Sequence, residues 1–180
     1  MEERKYSMSS NSIFNTMLRS FQQIEQKPLR EDLLLYFGIV ILVYCASFLM
    51  MLHDGGAGGF LFLLPFIIVL AGGLLTGAVV LLGTSLIEHF FLLFVDVKKN
   101  FEMTMKTAVY ALAIVFPLAW AALLVSNSHL IVLPAIVFVI LTFCGIRVFH
   151  SLSIDRAAFV SLATGAVLLF FSYRWLMGRW

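Results

Sequence analysis

Charged residues are scarce in this sequence: only 12% of its 180 residues are Asp, Glu, Lys or Arg, whereas 62% are hydrophobic. A soluble domain usually has about 25% charged and about 45–50% apolar residues. A chain of this length cannot bury so much apolar surface within itself, so a lipid bilayer must cover the rest. The composition therefore excludes a soluble protein and predicts a polytopic membrane protein. The net charge of +2 is too small to favour nucleic acid as a partner.

Residues and motifs for covalent, redox and metal chemistry are scarce as well. The two cysteines, Cys45 and Cys144, lie in separate apolar runs, so we expect buried thiols rather than a disulfide or a metal site. The sequence has no P-loop, no GxSxG nucleophile motif, no HExxH zinc motif and no CxxC motif. Because the first thirty residues are polar, no cleavable signal peptide is expected.

Long uncharged runs predict five transmembrane spans, since a helix needs about 20 apolar residues to cross about 30 Å of hydrocarbon. The predicted spans are Leu33–Leu52, Phe60–Leu82, Ala108–Val125, Leu130–Ile146 and Ala157–Tyr173. The second span is expected to continue as helix towards Val95, and the charged segment Asp96–Lys106 is expected to be a loop. The sequence therefore predicts an all-α bundle of five transmembrane helices, forming one domain over residues 32–180.

An amphipathic helix is predicted within the N-terminal segment, residues 1–31. Apolar residues recur at helical spacing on one face between Ile13 and Gln26, and Pro28 is expected to end the helix. The residues predicted to contact the membrane are Phe14, Met17, Leu18 and Phe21. One-sided apolar periodicity with low overall hydrophobicity is typical of a helix that lies in the membrane interface. The alternative is a helix packed on the cytoplasmic face of the protein itself.

The distribution of Lys and Arg predicts the orientation of the bundle. Ten of the twelve lie in the N-terminal segment and in the connections after the second and fourth spans. Only Arg174 and Arg179 lie on the opposite side. Because cytoplasmic loops carry an excess of Lys and Arg, the N-terminus is expected in the cytoplasm and the C-terminus outside.

Polar residues near the ends of the spans are the candidates for a functional site on the cytoplasmic side. The residues of this predicted cluster are Glu88, Tyr110, Arg147, His150, Asp155 and Arg156. A carboxylate near hydrocarbon is costly unless it is paired or hydrated, so we expect Glu88 to pair with Arg147 or Arg156. Three interpretations stay open: contacts that hold the helix ends together, a ligand or partner site, and proton or ion conduction.

Two histidines are weak candidates for cofactor binding. His89 and His150 could each offer a ring nitrogen to a haem iron or to the magnesium of a chlorophyll-type pigment. This possibility predicts an accessory subunit of a photosynthetic or respiratory membrane complex. The alternative is that both are hydrogen-bonded residues at the membrane interface, with no cofactor.

Two segments resemble the Yip-domain family of integral membrane proteins. The first is KKNFEMTMKTAVYAL, where a basic loop with an aromatic residue leads into a span with a Tyr-Ala pair, here Tyr110 and Ala111. The second is GIRVFHSLSIDRAA, similar to the family's pattern of Gly, a basic residue, His, Leu-Ser and a basic-Ala pair. Its matching positions are Gly145, Arg147, His150, Leu152, Ser153, Arg156 and Ala157. The five-span layout is also that of the family.

The resemblance implies a non-enzymatic membrane scaffold without a cofactor, which organises partners or lipids at the cytoplasmic face. The expected partners are the lipid bilayer and other membrane proteins or a larger membrane complex. With no long N-terminal domain, the chain is similar to compact prokaryotic members, so we expect it in a prokaryotic cytoplasmic membrane. Binding of small GTPases, known for eukaryotic relatives, is not expected to transfer.

Overall fold

The computed structural model of the chain describes residues 13–55, 63–97, 100–124, 130 and 132–176. Within these residues the chain forms six α-helices and no β-strand, which confirms the all-α fold class. The helices are α1 (Ile13–Glu25), α2 (Leu29–Gly55), α3 (Leu63–Phe94), α4 (Phe101–Leu124), α5 (Val132–Phe149) and α6 (Ile154–Leu176). The turns predicted around residues 56–59 and 126–129 lie outside the described residues.

Five of these helices, α2 to α6, are long and apolar enough to cross a membrane, as predicted. Many of their large apolar side chains point away from the bundle, and examples are Leu34, Leu42, Leu64, Leu75 and Phe94. In water such a surface would be unfavourable, whereas lipid chains solvate it at no cost. The chain is therefore an integral membrane protein.

The start of α4 differs from the prediction. The helix begins at Phe101 rather than at Ala108, so Lys106 and Glu102 lie on the helix and not in a loop. Asn100 precedes it, as is common at helix N-termini, and Glu102 in the first turn interacts favourably with the helix dipole. The charged residues mark where the chain leaves hydrocarbon, and they do not mark where the helix begins.

The connection between α5 and α6 is shorter than the one predicted between the fourth and fifth spans, Leu130–Ile146 and Ala157–Tyr173. Helix α5 continues to Phe149, and only His150–Ser153 separate it from α6. Ser151 has a positive φ of 53° and reverses the chain within this short connection. Because successive helices run in opposite directions, the starts of α2, α4 and α6 and the ends of α3 and α5 lie together, at what we call the α1 end of the bundle.

Helices α3, α4, α5 and α6 form a closed ring. In this ring α3 contacts α4 and α6, and α5 contacts the same two helices. Helix α2 packs outside the ring against α3 and α4, and α1 packs against α5. Four helices arranged in this way enclose an interior that side chains from all four can reach.

Helix α2 packs closely against α3 at two glycines. A Cβ atom on Gly73 would lie 2.4 Å from the ring of Tyr44, and one on Gly77 would lie 3.1 Å from Val40. The absence of side chains there also leaves the carbonyl of Gly77 open to the hydroxyl of Tyr36, which donates to it at 2.9 Å. Small residues one turn apart allow this approach, as in many membrane helix pairs.

Candidate functional site

The apolar face of α1 packs on the bundle itself. The ring of Phe21 is only 5% exposed and makes edge contacts with the rings of Tyr110 and Phe149. Met17 and Leu18 are partly buried against the same core. Of the two alternatives for this helix, the structure therefore favours packing on the protein over insertion of Phe21 into lipid. The side chain of Phe14 lies outside the described part of α1.

Lys106 fixes the end of α1. Its ammonium group donates to the carbonyl oxygens of Glu25 at 3.1 Å and Lys27 at 2.5 Å, and the side chain is only 3% exposed. These carbonyls have no partner within α1, because they lie at or beyond its last turn. A cation at this position also interacts favourably with the negative end of the helix dipole.

A second polar contact joins α4 to α2 beside α1. The hydroxyl of Tyr110 donates to the Oδ1 atom of Asp32, a carboxylate that is only 1% exposed. The other oxygen, Oδ2, has no hydrogen-bond partner among the described residues. We call the region formed by α1, Lys106, Tyr110 and Asp32 the cap, because it covers the α1 end of the bundle.

A groove of about 450 Å³ runs between α1 and the end of α5. The residues that line it are Leu18, Gln22, Glu25, Arg147, Val148, Ser151 and Leu152. Arg147 is the cation of this lining, and Glu25 is its carboxylate. The groove is therefore polar and open, and it lies at the α1 end of the bundle.

The structure separates the residues of the predicted cluster instead of bringing them together. Tyr110 belongs to the cap, Arg147 lines the groove, and Asp155 lies exposed in the first turn of α6. The exposed Arg156 donates to the carbonyl of Val95 at 3.4 Å. The predicted ion pair of Glu88 with Arg147 or Arg156 is thus wrong, because both arginines bind or face other groups near the α1 end.

Glu88 lies inside the ring of helices and is completely buried. Neither oxygen of its carboxyl group makes a hydrogen bond of normal geometry with a described residue. The hydroxyl of Thr107 lies close to the carboxyl group, but its proton is donated to the carbonyl of Met103 at 3.2 Å. Glu88 is six residues before the end of α3, which corresponds to a depth of about 9 Å.

Threonines from all four ring helices accompany Glu88. Thr84 lies one turn deeper on the same face of α3, and the other ring helices contribute further threonines that are buried completely. Thr104 of α4 is buried as well, but its hydroxyl contacts His89. The others are Thr107 on α4, Thr142 on α5 and Thr164 on α6. A Cβ atom on Gly145 of α5 would lie 2.7 Å from Thr107, which shows how closely α4 and α5 approach at this level. We call Thr84, Glu88, Thr107, Thr142 and Thr164 the polar layer.

The two candidate histidines lie in different environments. The Nδ1 atom of His89 is 3.2 Å from the hydroxyl oxygen of Thr104, and its ring makes an edge contact with Phe101. His150 follows the last residue of α5 and is 4% exposed. In the described part of the chain, no three His, Cys, Asp or Glu side chains lie close enough to hold one metal ion.

Sequence reasoning missed Lys106 and Asp32 of the cap and the four threonines of the polar layer. Lys106 was assigned to a loop, and Asp32 to the segment before the first span, so neither was expected to be buried. Thr142 and Thr164 are single polar residues within apolar runs, whereas Thr84 is followed by Ser85 and Thr107 follows Lys106. The one signal for this site was the spacing of four residues between Thr84 and Glu88, which places both on one face of a helix.

Known proteins give no further guide to the site. Comparison of the chain with models of protein families, with curated proteins and with solved structures finds no match. The resemblance to the Yip-domain family therefore stays a prediction.

Proposed function

We propose that the protein is a non-enzymatic membrane scaffold of the Yip type, whose α1 end faces the cytoplasm and organises partner proteins there. The observation that carries this proposal is the open groove between α1 and α5, which Arg147 lines at the α1 end of the bundle. Lys106 and Tyr110 hold the cap together, whereas the groove is open to a partner.

The cap supports this proposal because it holds α1 in one position. Phe21 is buried in the core, and Lys106 binds the end of the helix. These contacts hold α1 in place, so that Gln22 and Glu25 line the groove in fixed positions. A pre-organised surface loses less entropy on binding than a mobile one. The guanidinium of Arg147 can bind a carboxylate through two hydrogen bonds, and an acidic segment of a partner protein suits it best.

Thiol labelling tests the proposed orientation. In a variant without Cys45 and Cys144, we introduce Asn100→Cys, between α3 and α4, or Ser128→Cys, between α4 and α5. An impermeant maleimide added to intact cells should label the second variant and not the first, and both should react after lysis. Labelling of Asn100→Cys in intact cells would place the α1 end outside and contradict the proposal.

Site-specific photo-crosslinking tests the groove. A photo-reactive amino acid at Gln22 lies in the groove, and one at the exposed Glu102 of α4 is the control. In native membranes, the first should give a discrete protein adduct that is absent from the control and is lost in the Arg147→Ala background. Identical adducts at the two positions, or adducts independent of Arg147, would show that the groove is not a docking surface.

A second candidate function rests on His89. Histidines that bind metals usually donate the other ring N–H to an oxygen, and the contact of Nδ1 with Thr104 fits this arrangement. It would leave Nε2 to bind a haem or a chlorophyll-type pigment, in an accessory subunit of a larger membrane complex. Protein purified in mild detergent should then absorb visible light, and His89→Ala should abolish this absorbance while His53→Ala leaves it unchanged. A colourless protein that retains its native partners would exclude this function.

A further inference from the structure

The polar layer lies directly below an apolar contact of three helices. Near the α1 end, Leu92 of α3, Ile146 of α5 and Val160 of α6 are buried in one cluster. One turn deeper on each helix, at the spacing of four residues that keeps side chains on one face, lie Glu88, Thr142 and Thr164. The three apolar side chains thus separate the carboxyl group and the threonine hydroxyls from the surface at the α1 end.

The threonine hydroxyls of this layer differ from other hydroxyls in the bundle. Ser47, Ser85 and Thr107 each donate to the carbonyl four residues earlier, which is the usual way to satisfy a hydroxyl within a helix. By contrast, the side-chain oxygens of Thr84, Thr142 and Thr164 have no hydrogen-bond partner in the described ranges, although all three are buried. The layer therefore combines five unpartnered oxygens: three hydroxyl oxygens and both carboxyl oxygens of Glu88.

We propose that the polar layer is a binding site for one small monovalent cation of the Na⁺ class, held by Glu88, Thr142 and Thr164, with Thr84 below them. A cation of this kind prefers oxygen ligands, and one carboxylate balances its charge. An ionised carboxyl group in a dry interior without a counter-charge is very costly, and a bound cation removes that cost. Acidic residues within a membrane bundle commonly mark ion or proton sites.

The count of oxygens favours a metal cation over a proton. A proton on Glu88 neutralises the carboxyl group and adds one donor, so it can bring a new donor to only one of the unpartnered hydroxyl oxygens. A cation can contact the carboxylate and several hydroxyl oxygens at once. The site is independent of the proposed scaffold function, because it shares no residue with the groove or the cap.

Thermal unfolding of the purified full-length protein in detergent tests the site. The melting temperature is measured in NaCl, KCl and choline chloride at equal ionic strength, for the wild type and for Glu88→Gln, Thr142→Val and Thr164→Val. The matched control is Ser85→Ala, which removes a buried hydroxyl beside Glu88 that already donates to Leu81. If Glu88→Gln does not fold, the two threonine variants still test the site, because valine keeps the shape of threonine.

The proposal predicts a saturable rise in the melting temperature of the wild type and of Ser85→Ala with Na⁺ or K⁺ over choline. Glu88→Gln should lose this rise, and each valine variant should need roughly tenfold more cation to reach half of it. Dicyclohexylcarbodiimide, which attacks protonated carboxyl groups in apolar surroundings, should modify Glu88 in choline and not in saturating cation. Equal melting temperatures in all three salts, or equal cation effects in all variants, would overturn the proposal and leave Glu88 as a protonated carboxyl group.

Discussion

The cap and the polar layer are both buried and polar, but their polar atoms are satisfied to different degrees. In the cap, Lys106 donates to two backbone carbonyls and Tyr110 donates to Asp32. Among the buried side-chain atoms of the cap that the structure describes, the second oxygen of Asp32 is the one that lacks a partner. In the polar layer, both oxygens of Glu88 and the hydroxyls of three threonines lack partners among the described residues. Both regions draw on α4, where Thr107 of the polar layer lies between Lys106 and Tyr110 of the cap.

This difference indicates that the cap contributes to the stability of the fold and that the polar layer is retained for another role. A buried polar group that is hydrogen-bonded contributes to the free energy of unfolding, and removing it leaves its partner unsatisfied. A buried polar group without a partner costs free energy, so a sequence that retains several of them together retains them for another reason. Substitutions in the cap should therefore lower stability, and substitutions of similar shape in the polar layer should not.

The largest loss in the cap is expected for Phe21→Ala. The substitution removes a buried ring and its contacts with Tyr110 and Phe149, which should lower the free energy of unfolding by about 3 kcal/mol. It should also release α1 to added protease. Chemical unfolding in detergent measures the first effect. The control is Phe90→Ala, which removes a ring that is 56% exposed on α3 and should cost about 1 kcal/mol or less. Equal losses in the two variants would mean that α1 is not part of the folded core.

A smaller loss is expected for Lys106→Met, which keeps the length of the side chain and removes its charge. Two backbone carbonyls at the end of α1 lose their donor, so the free energy of unfolding should fall by about 2 kcal/mol. Lys27→Met is the matched control, because the side chain of Lys27 is exposed and only its backbone takes part in the contact. If the control costs as much as Lys106→Met, the contribution comes from net charge rather than from the cap.

Tyr110→Phe should have the smallest effect of the three cap substitutions, about 1.5 kcal/mol, because it removes one hydrogen bond to the buried carboxylate of Asp32. A double-mutant cycle with Asp32→Asn checks the origin of the loss. The combined variant should cost less than the sum of the single variants if the two side chains contact each other. Strict additivity would show that the contact does not contribute to stability.

The sequence predicted the five spans well because lipid selects for long uncharged runs, and it predicted the helix boundaries less well. The charge of Glu102 and Lys106 indicated a loop, yet α4 begins at Phe101. Glu102 is exposed in the first turn of the helix, and Lys106 binds the backbone carbonyls at the end of α1. The amphipathic helix predicted between Ile13 and Gln26 is also present, as α1. Its partner could not be predicted, since an apolar face fits lipid and protein equally well.

The candidate site was less predictable than the fold for a related reason. Glu88 was recognised as costly, but its neighbours are decided by which faces of α3, α5 and α6 meet. That arrangement depends on close contacts such as the one between Gly145 and Thr107, which no periodicity reveals. Arginines were the natural partners by sequence, whereas threonines scattered through three apolar runs are the neighbours in space.

The most direct test of the difference between the two regions is the free energy of unfolding of Thr142→Val in detergent without Na⁺ or K⁺. Valine has the shape of threonine, and the hydroxyl it removes has no hydrogen-bond partner among the described residues. The account predicts a stability equal to that of the wild type or higher by up to about 1 kcal/mol. A loss of about 1 kcal/mol or more, as expected for Tyr110→Phe, would contradict it, because the hydroxyl of Thr142 would then stabilise the fold in the same way as the cap does.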